Sequence, residues 1–355
     1  MVYSSSSYDA FLTFGNATYY FRKQLISIVV GLGIMIALTF FPYQLLMRMT
    51  AAAYIFAAVL IFLIIPFGHE ANGAKRWIYL FGISIQPAEY AKLAMIVFLA
   101  GAIMKMGRGI NTWKGFGIIL VLVGIISGMV WFVTSNASSA IIIFGIALIM
   151  FFVSTPDYKR YIILGGGLIL AAVLVVLVIV ANASGSDAGN IGGYRGARIL
   201  AWLDPEAYAS GKGFQTLQAL YAIGSGGLFG KGLGESMQKL GFIPEAQNDM
   251  IFSVICEELG LFGALALMLL FVLLLWRLKI IADNASDMFG SLLVVGVMGH
   301  IAIQVILNIA VVTNIIPNTG ISLPFISYGG SAMICTLAEI GLCLSVARRI
   351  RMRDY

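Results

Sequence analysis

Seven ionisable side chains lie in or beside long apolar stretches of the chain: Glu89, Lys92, Asp249, Glu257, Glu258, His300 and Glu339. A charge at the depth of a bilayer is costly, so such residues mark the places where function is expected. A carboxylate can take or give a proton, and a lysine can hold anionic oxygens. The chemistry to look for is therefore proton transfer and anion binding beside apolar helices.

Glu89 and Lys92 follow Pro87, in a pattern typical of a helix start with proline in its first turn. The acid lies near the positive end of the helix dipole, and the two residues are three apart and can pair. Two interpretations stay open: a helix start with its own ion pair, or a polar site that faces a cavity. Lys75 and Arg76 precede this pair in the same loop and favour the site.

A polar loop turns into an apolar helix over residues 244–252, which include Glu245 and Asp249. Asp249 is suited to cap that helix, or it carries chemistry. Glu257 lies about 80° around the helix from Asp249, at roughly 100° per residue, and Glu258 lies near the opposite face. At most one of these two glutamates is therefore expected on the side of Asp249.

Two glycine-rich runs adjoin apolar helices. Residues 224–234 contain Lys231 but lack the full Gly-x4-Gly-Lys-Ser/Thr motif of a nucleotide loop. We expect a re-entrant or surface-hugging segment, where glycines let backbone approach backbone or a phosphate-bearing lipid. Residues 317–331 contain Ser327 and lead into a helix. Irregular backbone there must be buried in protein or line a water-filled site.

His300 and Glu339 lie in the middle of apolar stretches. A single histidine in such a place more often makes one hydrogen bond between helices than it binds a metal, so we expect a structural role for both. Three cysteines, Cys256, Cys335 and Cys343, have no ligand spacing and are interpreted as small packing residues. No metal site is predicted, although a divalent cation remains an open alternative.

The elements that must position these residues are membrane-spanning helices. Of 355 residues, 60% are hydrophobic and 11% are charged, which excludes a soluble globular class and a disordered one. Nucleic-acid binding is not expected either, because the cations behind the net charge of +6 are scattered over short loops. Continuous apolar character without alternation excludes an outer-membrane barrel. The predicted fold is all-α and polytopic, a single integral membrane domain over residues 1–355.

About 20 apolar residues cross a bilayer, and the chain offers nine such stretches. The nine predicted spans are 24–41, 51–66, 88–104, 115–133, 140–153, 161–181, 258–276, 289–313 and 331–347.

The distribution of lysine and arginine predicts the orientation of these spans. Alternate connections and the C-terminal tail hold twelve of these residues, so that side is expected to be cytoplasmic. The C-terminus is then inside, and loops 67–87, 182–257 and 314–330 face outward. The polar start MVYSSSSYDAF has no signal-peptide pattern and would begin outside, so we expect that a helix is missing upstream.

Several motifs, taken together and in order, closely resemble the SEDS family, whose types are FtsW, RodA and SpoVE. They are Asn72 to Ile78, Gln86 to Lys92, Gly226 to Gly234, Pro244 to Gly260, Thr319-Gly320, and Leu323 to Ser331. The resemblance covers nearly the whole chain, and the FtsW/SpoVE branch is nearest. It implies ten helices, so that the nine visible spans correspond to the second to tenth, with the first apparently truncated.

The resemblance also implies an activity: a glycosyltransferase that polymerises lipid II into peptidoglycan strands at the outer membrane face, in division, elongation or sporulation. It implies a class B penicillin-binding protein as partner and Asp249 as the functional aspartate in loop 182–257. Transfer from a lipid diphosphate needs a base for the acceptor hydroxyl and cations for the leaving diphosphate. The expected substrate contacts are Lys75, Arg76, Glu89, Lys92, Lys231, Glu245 and Ser327.

This chain departs from the family pattern in three places. Ser135 to Ala140 replaces the usual Pro-Asp-x-Gly-Thr-Ala, so an acid common there is absent and no role for it can be transferred. Gln247-Asn248 replaces a common His-Thr or His-Asn, and Asn318 replaces a common Val. Two rival functions stay open: a flippase for the lipid-linked precursor, and a scaffold for cell-wall enzymes. A flippase is less favoured because a translocation path would show polar residues through the midplane.

Overall fold

The computed structural model describes residues 1–71, 74–80, 83–155, 158–183, 193–209, 211 and 213–350. Some positions used above lie outside this set: Asn72 and Gly73 of the first motif, residues 184–192 of the long loop, and the end of the tail from Arg351.

Fourteen α-helices run through the described residues, with one short 3-10 helix, Gly107–Asn111, after the sixth. They are α1 (Val2–Phe14), α2 (Tyr19–Phe40), α3 (Gln44–Arg48), α4 (Thr50–Phe62), α5 (Ile64–Phe67), α6 (Pro87–Met106), α7 (Trp113–Thr134), α8 (Ala137–Ser154), α9 (Tyr158–Ala183), α10 (Gly193–Leu203), α11 (Phe214–Gly226), α12 (Ile251–Asp283), α13 (Met288–Val312) and α14 (Gly330–Ala347).

Within the described residues, eight helical segments are long and apolar enough to cross a membrane. They are Tyr19–Phe40, Thr50–Phe67, Pro87–Asn111, Trp113–Thr134, Ala137–Ser154, Ile251–Asp283, Met288–Val312 and Gly330–Ala347. Large apolar side chains stay exposed on them, as Phe132 does at 82%, which suits contact with lipid tails. The predicted helical, multi-pass fold is confirmed. Eight of the nine spans are matched, while 161–181 falls within α9, which is not one of the eight.

A small antiparallel sheet is the exception to the all-α prediction. It lies in the predicted loop 67–87 and has the order β1 (His69–Ala71), β2 (Ala74–Leu80), β3 (Ile83–Ile85). Glu70 pairs with Lys75, and Tyr79 pairs with Ser84. β2 contains Trp77, Ile78 and Tyr79, and such aromatic and β-branched residues favour an extended strand.

The described chain divides into two compact units. The first comprises Met1–Phe21, Asp157–Leu269 and Ile306–Ser327, and the second comprises Arg22–Pro156, Leu270–Val305 and Tyr328–Tyr355.

The second unit is built around α6. Fourteen of its 20 residues are buried, and it packs against α4, α8 and α14. Pro87 stands in its first turn, as predicted, and Gly107 follows its last residue with a positive φ of 53°. Gly101 allows α4 to approach closely, because a Cβ there would collide with Thr50. This buried helix carries Glu89 and Lys92.

In the second unit, Asn136 takes the place of an acid common in the SEDS pattern. Its side chain caps α8 by accepting a hydrogen bond from Ser139 N at 3.0 Å. An asparagine caps a helix about as well as an aspartate. The departure therefore keeps the helix start while removing a negative charge.

In the first unit, the glycine-rich run lies directly against the start of α12. Lys231 N donates to Glu257 O at 2.9 Å, and Gly232 N donates to Glu258 O at 3.0 Å. Gly230 and Gly260 face each other with φ of 77° and 65°, and a Cβ on either would collide with backbone of the other side. The predicted close approach of backbone to backbone is therefore present at these glycines. α12 loses helical geometry at Gly260.

Candidate functional site

Asp249 lies in the turn that precedes α12, and side chains from distant parts of the first unit hold this turn by its backbone. Asn308 Nδ2 donates to Asp249 O at 2.8 Å and to Ile321 O at 2.7 Å. Ser327 Oγ donates to Asn248 O at 2.6 Å. The turn is therefore tied to α13 and to the segment that follows α13.

Asp249 is partly exposed as a residue, and its carboxyl group has polar neighbours. Gln215 Nε2 lies 3.4 Å from Oδ1, a long hydrogen bond. Gly320 approaches the other oxygen, since a Cβ there would lie 3.8 Å from Oδ2, and its φ of 68° suits glycine. The backbone of Gly320 therefore lies close beside this carboxylate oxygen.

The pKa of Asp249 is raised to about 7, chiefly because surrounding protein removes water from its carboxyl although part of the residue stays accessible. The negative charge of Glu245 raises the pKa further. Backbone N–H groups of Asp249 and Met250, together with the positive charge of Arg198, lower it. A carboxyl with this pKa is partly ionised at neutral pH and still basic enough to accept a proton.

A cavity of about 180 Å³ lies beside this turn within the first unit. Its lining residues are Arg198, Ala201, Trp202, Gly211, Gln215, Thr216, Pro244 and Asn318. The arginine and the tryptophan are held by the segment after α13: Arg198 Nη1 donates to Asn318 O at 3.2 Å, and Trp202 Nε1 donates to Asn314 O at 3.0 Å. Gln215 belongs to both the cavity wall and the surroundings of Asp249.

Glu245 is exposed and has a φ of 52°, a conformation that is uncommon for a residue with a side chain. Its Oε2 accepts a hydrogen bond from Asn248 Nδ2 at 3.0 Å. Ser327, by contrast, is buried, and its hydroxyl also accepts from Leu323 N at 2.7 Å. Of these two predicted site residues, Glu245 is the accessible one and Ser327 is an anchor for the turn.

Lys231 lies in the first unit with about a third of its side chain exposed, and its Nζ is 2.7 Å from Oε1 of buried Glu257. Glu257 also accepts from Ser236 Oγ and from the backbone N of Met237 and Gln238. Glu258 pairs separately with Lys239, at 2.7 Å. The two glutamates after Asp249 therefore hold the glycine-rich run against α12.

The remaining predicted cations belong to the second unit. Lys92 is buried and its Nζ lies 2.9 Å from Glu89 Oε2, so the predicted pair is present. Arg76 donates to the carbonyl oxygens of Thr134 and Ser135 at the end of α7. Lys75 is exposed on β2.

Two spans of the second unit are joined by the predicted histidine contact. His300 Nδ1 lies 2.9 Å from both carboxyl oxygens of Glu339, which confirms a hydrogen bond between α13 and α14. In the part of the chain that the structure describes, no group of three His, Cys, Asp or Glu side chains is arranged to hold a metal ion.

Sequence reasoning missed four residues around Asp249: Arg198, Gln215, Asn308 and Asn318. Apart from Ser327, the site residues expected from the sequence are ionisable, whereas Asn308 is a neutral amide near the end of an apolar span. A buried amide in such a place needs partners, which is a usable signal. The other three lie in or near polar loops, where nothing in their spacing distinguishes them from solvated residues.

The chain is similar to a known family over almost its whole length. The family model FTSW_RODA_SPOVE, described as cell cycle protein, matches residues 1–352. Stage V sporulation protein E of Bacillus subtilis is 37% identical over 355 residues, which is 99% of this chain and 93% of that protein. A probable peptidoglycan glycosyltransferase FtsW of Trichlorobacter lovleyi is 36% identical, in an alignment that covers 99% of this chain and 90% of that protein.

Solved structures show the same fold. A chain from work on how a peptidoglycan synthase complex coordinates polymerization and crosslinking has a TM-score of 0.77 with 28% identity, over 99% of this chain and 97% of that one. The rod shape determining protein RodA of Thermus thermophilus has a TM-score of 0.67 with 25% identity, over 99% and 95% of the two chains.

Proposed function

The chain belongs to the FtsW/RodA/SpoVE family, and from this premise we propose that it polymerises lipid II into glycan strands with Asp249 as the general base. Its FtsW relatives, at 36% identity over nearly the full length, are named peptidoglycan glycosyltransferases. The chain is accordingly a multi-pass membrane protein and a glycosyltransferase of peptidoglycan synthesis.

The reaction joins an acceptor hydroxyl to the anomeric carbon of a donor sugar. The new C–O bond forms as the bond from that carbon to the lipid diphosphate breaks, and the electron pair leaves with the diphosphate. The hydroxyl proton must go to a base, and the diphosphate needs positive charge rather than a proton. One carboxylate is therefore enough, unlike the two-carboxylate arrangement of glycoside hydrolases.

The observation that carries the proposal is the state of the Asp249 carboxyl. The residue is partly exposed, the pKa of its carboxyl is raised to about 7 by desolvation, and its turn is held by Asn308 and Ser327. A base works best when its pKa lies near the working pH, and it must be held in place to accept the proton. A residue that served only to start α12 would need neither property.

We propose that Lys231 meets the leaving diphosphate, with Arg198 added because it acts on Asp249 in the same unit. Lys75, Arg76 and Lys92 of the second unit are likewise proposed as cations that bind substrate. Arginine can bind such oxygens in a bidentate manner and lysine as a point charge. Glu89 is proposed to balance the charge of Lys92, and Glu245 to contact substrate at the accessible edge of the turn. Ser327 is proposed to position that turn.

The face and the partner follow from the same premise. We propose that Asp249 faces the outer side of the cytoplasmic membrane and that the C-terminus is cytoplasmic. Twelve lysines and arginines lie in the C-terminal tail and in the connections on its side of the membrane, opposite to loop 182–257, and such residues are concentrated on the cytoplasmic side. A class B penicillin-binding protein is the proposed partner, supported by the similarity to a chain studied in a peptidoglycan synthase complex.

The test is polymerisation of purified lipid II by the purified protein in detergent, with and without the cognate penicillin-binding protein. The proposal predicts glycan strands that lengthen with time. A flippase only moves lipid II between the two sides of a membrane and forms no glycosidic bond, so it would leave lipid II unpolymerised in detergent. Unchanged lipid II under both conditions would therefore reject the polymerase in favour of the flippase or a scaffold.

A further inference from the structure

A chain of side-chain amides connects the backbone after α13 to the carboxyl of Asp249. Gly320 N donates to Asn318 Oδ1 at 3.0 Å, and Asn318 Nδ2 donates to Gln215 Oε1 at 2.9 Å. Gln215 Nε2 then donates to Pro244 O at 3.1 Å and lies 3.4 Å from Asp249 Oδ1. All of these groups belong to the first unit.

The direction of every bond in this chain is set by backbone groups at its two ends. Gly320 N–H can only donate, so the oxygen of Asn318 must face it and the Asn318 NH₂ must face Gln215. Pro244 C=O can only accept, so the NH₂ of Gln215 must face it. The two requirements agree. The oxygen and nitrogen of an amide side chain are otherwise hard to tell apart, and here Gly320 N–H and Pro244 C=O distinguish them.

We propose that Asn318 is a positioning residue for Asp249: together with Pro244 O, it holds the Gln215 amide so that an N–H group, and not the carbonyl oxygen, faces the carboxylate. A reversed Gln215 would place an oxygen beside Oδ1 and repel the ionised form. The inference rests on the proposed role of Asp249 as the general base. In addition, the two neutral side-chain amides of Asn318 and Gln215 orient and tune that base.

The amide acts on Asp249 alongside two charged groups that face it. Glu245, from the same turn, disfavours the ionised carboxylate, and Arg198, from α10, favours it. An N–H group directed at a carboxylate favours the ionised form and lowers its pKa. Loss of the correctly oriented amide should therefore raise the pKa of Asp249, so that activity on the acid side falls and activity on the alkaline side does not.

The experiment is a pH profile of single-turnover polymerisation by the full-length protein with lipid II. Asn318→Val removes the donor to Gln215, and Gln215→Leu removes the amide itself. Each should lower the rate about twofold near pH 6 and leave it unchanged above about pH 8.5, as expected for loss of one long hydrogen bond. The double variant should show no further shift, because Asn318 is proposed to act through Gln215.

Two further variants serve as a matched control and as an alternative substitution at residue 318. Asn284→Val makes the same chemical change at an exposed asparagine just after α12 that donates to Ile280 O of that helix, and it should leave the profile unchanged. If Asn318→Val fails to fold, Asn318→Ser keeps an oxygen near Gly320 N–H but is too short to reach Gln215. It should give the same acid-side loss.

The inference is overturned if Asn318→Val lowers the rate equally at all pH values, has no effect, or still shifts the profile in the Gln215→Leu background. Any of these results, with an active wild-type protein and an inactive Asp249→Asn, removes the amide chain and leaves the base in place. An active Asp249→Asn would instead remove the proposed base, and the positioning role with it.

Discussion

Asn308 and Asp249 are joined by a hydrogen bond of 2.8 Å from the asparagine side chain to the aspartate backbone carbonyl. The same amide also donates to Ile321 O at 2.7 Å. One neutral side chain near the end of α13 thus fixes both the turn that carries the proposed base and the segment that faces it. The position of the carboxyl depends on this amide.

Asn308→Leu is therefore expected to slow polymerisation by about 10²-fold, because displacing a reacting group by roughly 1 Å costs that much. Initial rates with lipid II check this. Thr313→Val is the matched control, since its hydroxyl donates to Ile309 O within the same region, and near-normal activity is expected there. An Asn308→Leu protein that folds and keeps the wild-type rate would show that Asp249 needs no such anchor.

The ion pair of Glu89 and Lys92 allows a separate prediction. Both side chains are buried, so removing one partner leaves an uncompensated charge and should cost about 3–5 kcal/mol of stability. Glu89→Gln with Lys92→Gln should restore stability. If Lys92 acts on the leaving diphosphate, the rate should stay about 10²–10³-fold low in the double variant.

Melting temperature and single-turnover rate of both single variants and the double variant separate the two roles. Lys279→Gln with Asp283→Asn is the control, since that pair is exposed and should contribute little. Recovery of the rate along with stability in the Glu89/Lys92 double variant would return Lys92 to a structural role.

The proposed orientation is checked by cysteine labelling in a background without the natural cysteines. A single cysteine at residues 185–190 should react with a membrane-impermeant reagent in intact cells. One added after Arg353 should react only after the membrane is opened. The reverse pattern would place loop 182–257 in the cytoplasm and exclude an outward-facing Asp249.

The raised pKa of Asp249 makes a prediction about stability. The pKa of Asp249 is about 7 in the folded protein and 3.8 for an ordinary exposed aspartate, so the folded protein binds the proton more tightly and stability falls as pH rises between these values. Above about pH 7 the ionised carboxyl is destabilising, by on the order of 1–2 kcal/mol after allowance for its partial exposure. Asp249→Asn should therefore melt higher than wild type at pH 8.

This stability difference should shrink as pH falls and vanish below about pH 3, where the aspartate is protonated in both folded and unfolded protein. Thermal melting of both proteins in one detergent over that range is the measurement. Equal melting temperatures at pH 8 would mean that the carboxyl is not desolvated, and the argument for a base with a pKa near 7 would fail.

Helices and candidate site were not equally predictable from the sequence. The long apolar stretches predicted nine spans, of which eight are matched, and the spacing of Glu89 and Lys92 predicted their pair, because both depend on local periodicity. The strands after α5 were missed, since three short strands between apolar helices have little pattern of their own. The pair of Lys231 with Glu257, which comes 26 residues later, depends on a fold contact that no local pattern indicates.

The neighbours of Asp249 could not be found in the same way. Gln215 and Asn318 are 103 residues apart, and their bond arises only when α11 and the segment after α13 come together. A neutral amide carries no charge or periodicity that would indicate such a contact. The acid Asp249 was identifiable because its motif is specific, whereas the groups that orient it depend on tertiary structure.

The most direct test of the central claim compares Asp249→Asn with wild type in single-turnover polymerisation of purified lipid II, with Asp283→Asn as the matched control on an exposed residue. We expect no detectable strands from Asp249→Asn, which should nevertheless fold and bind the same penicillin-binding protein, and a normal rate from Asp283→Asn. Strand synthesis by Asp249→Asn at the wild-type rate would contradict the assignment of Asp249 as the general base.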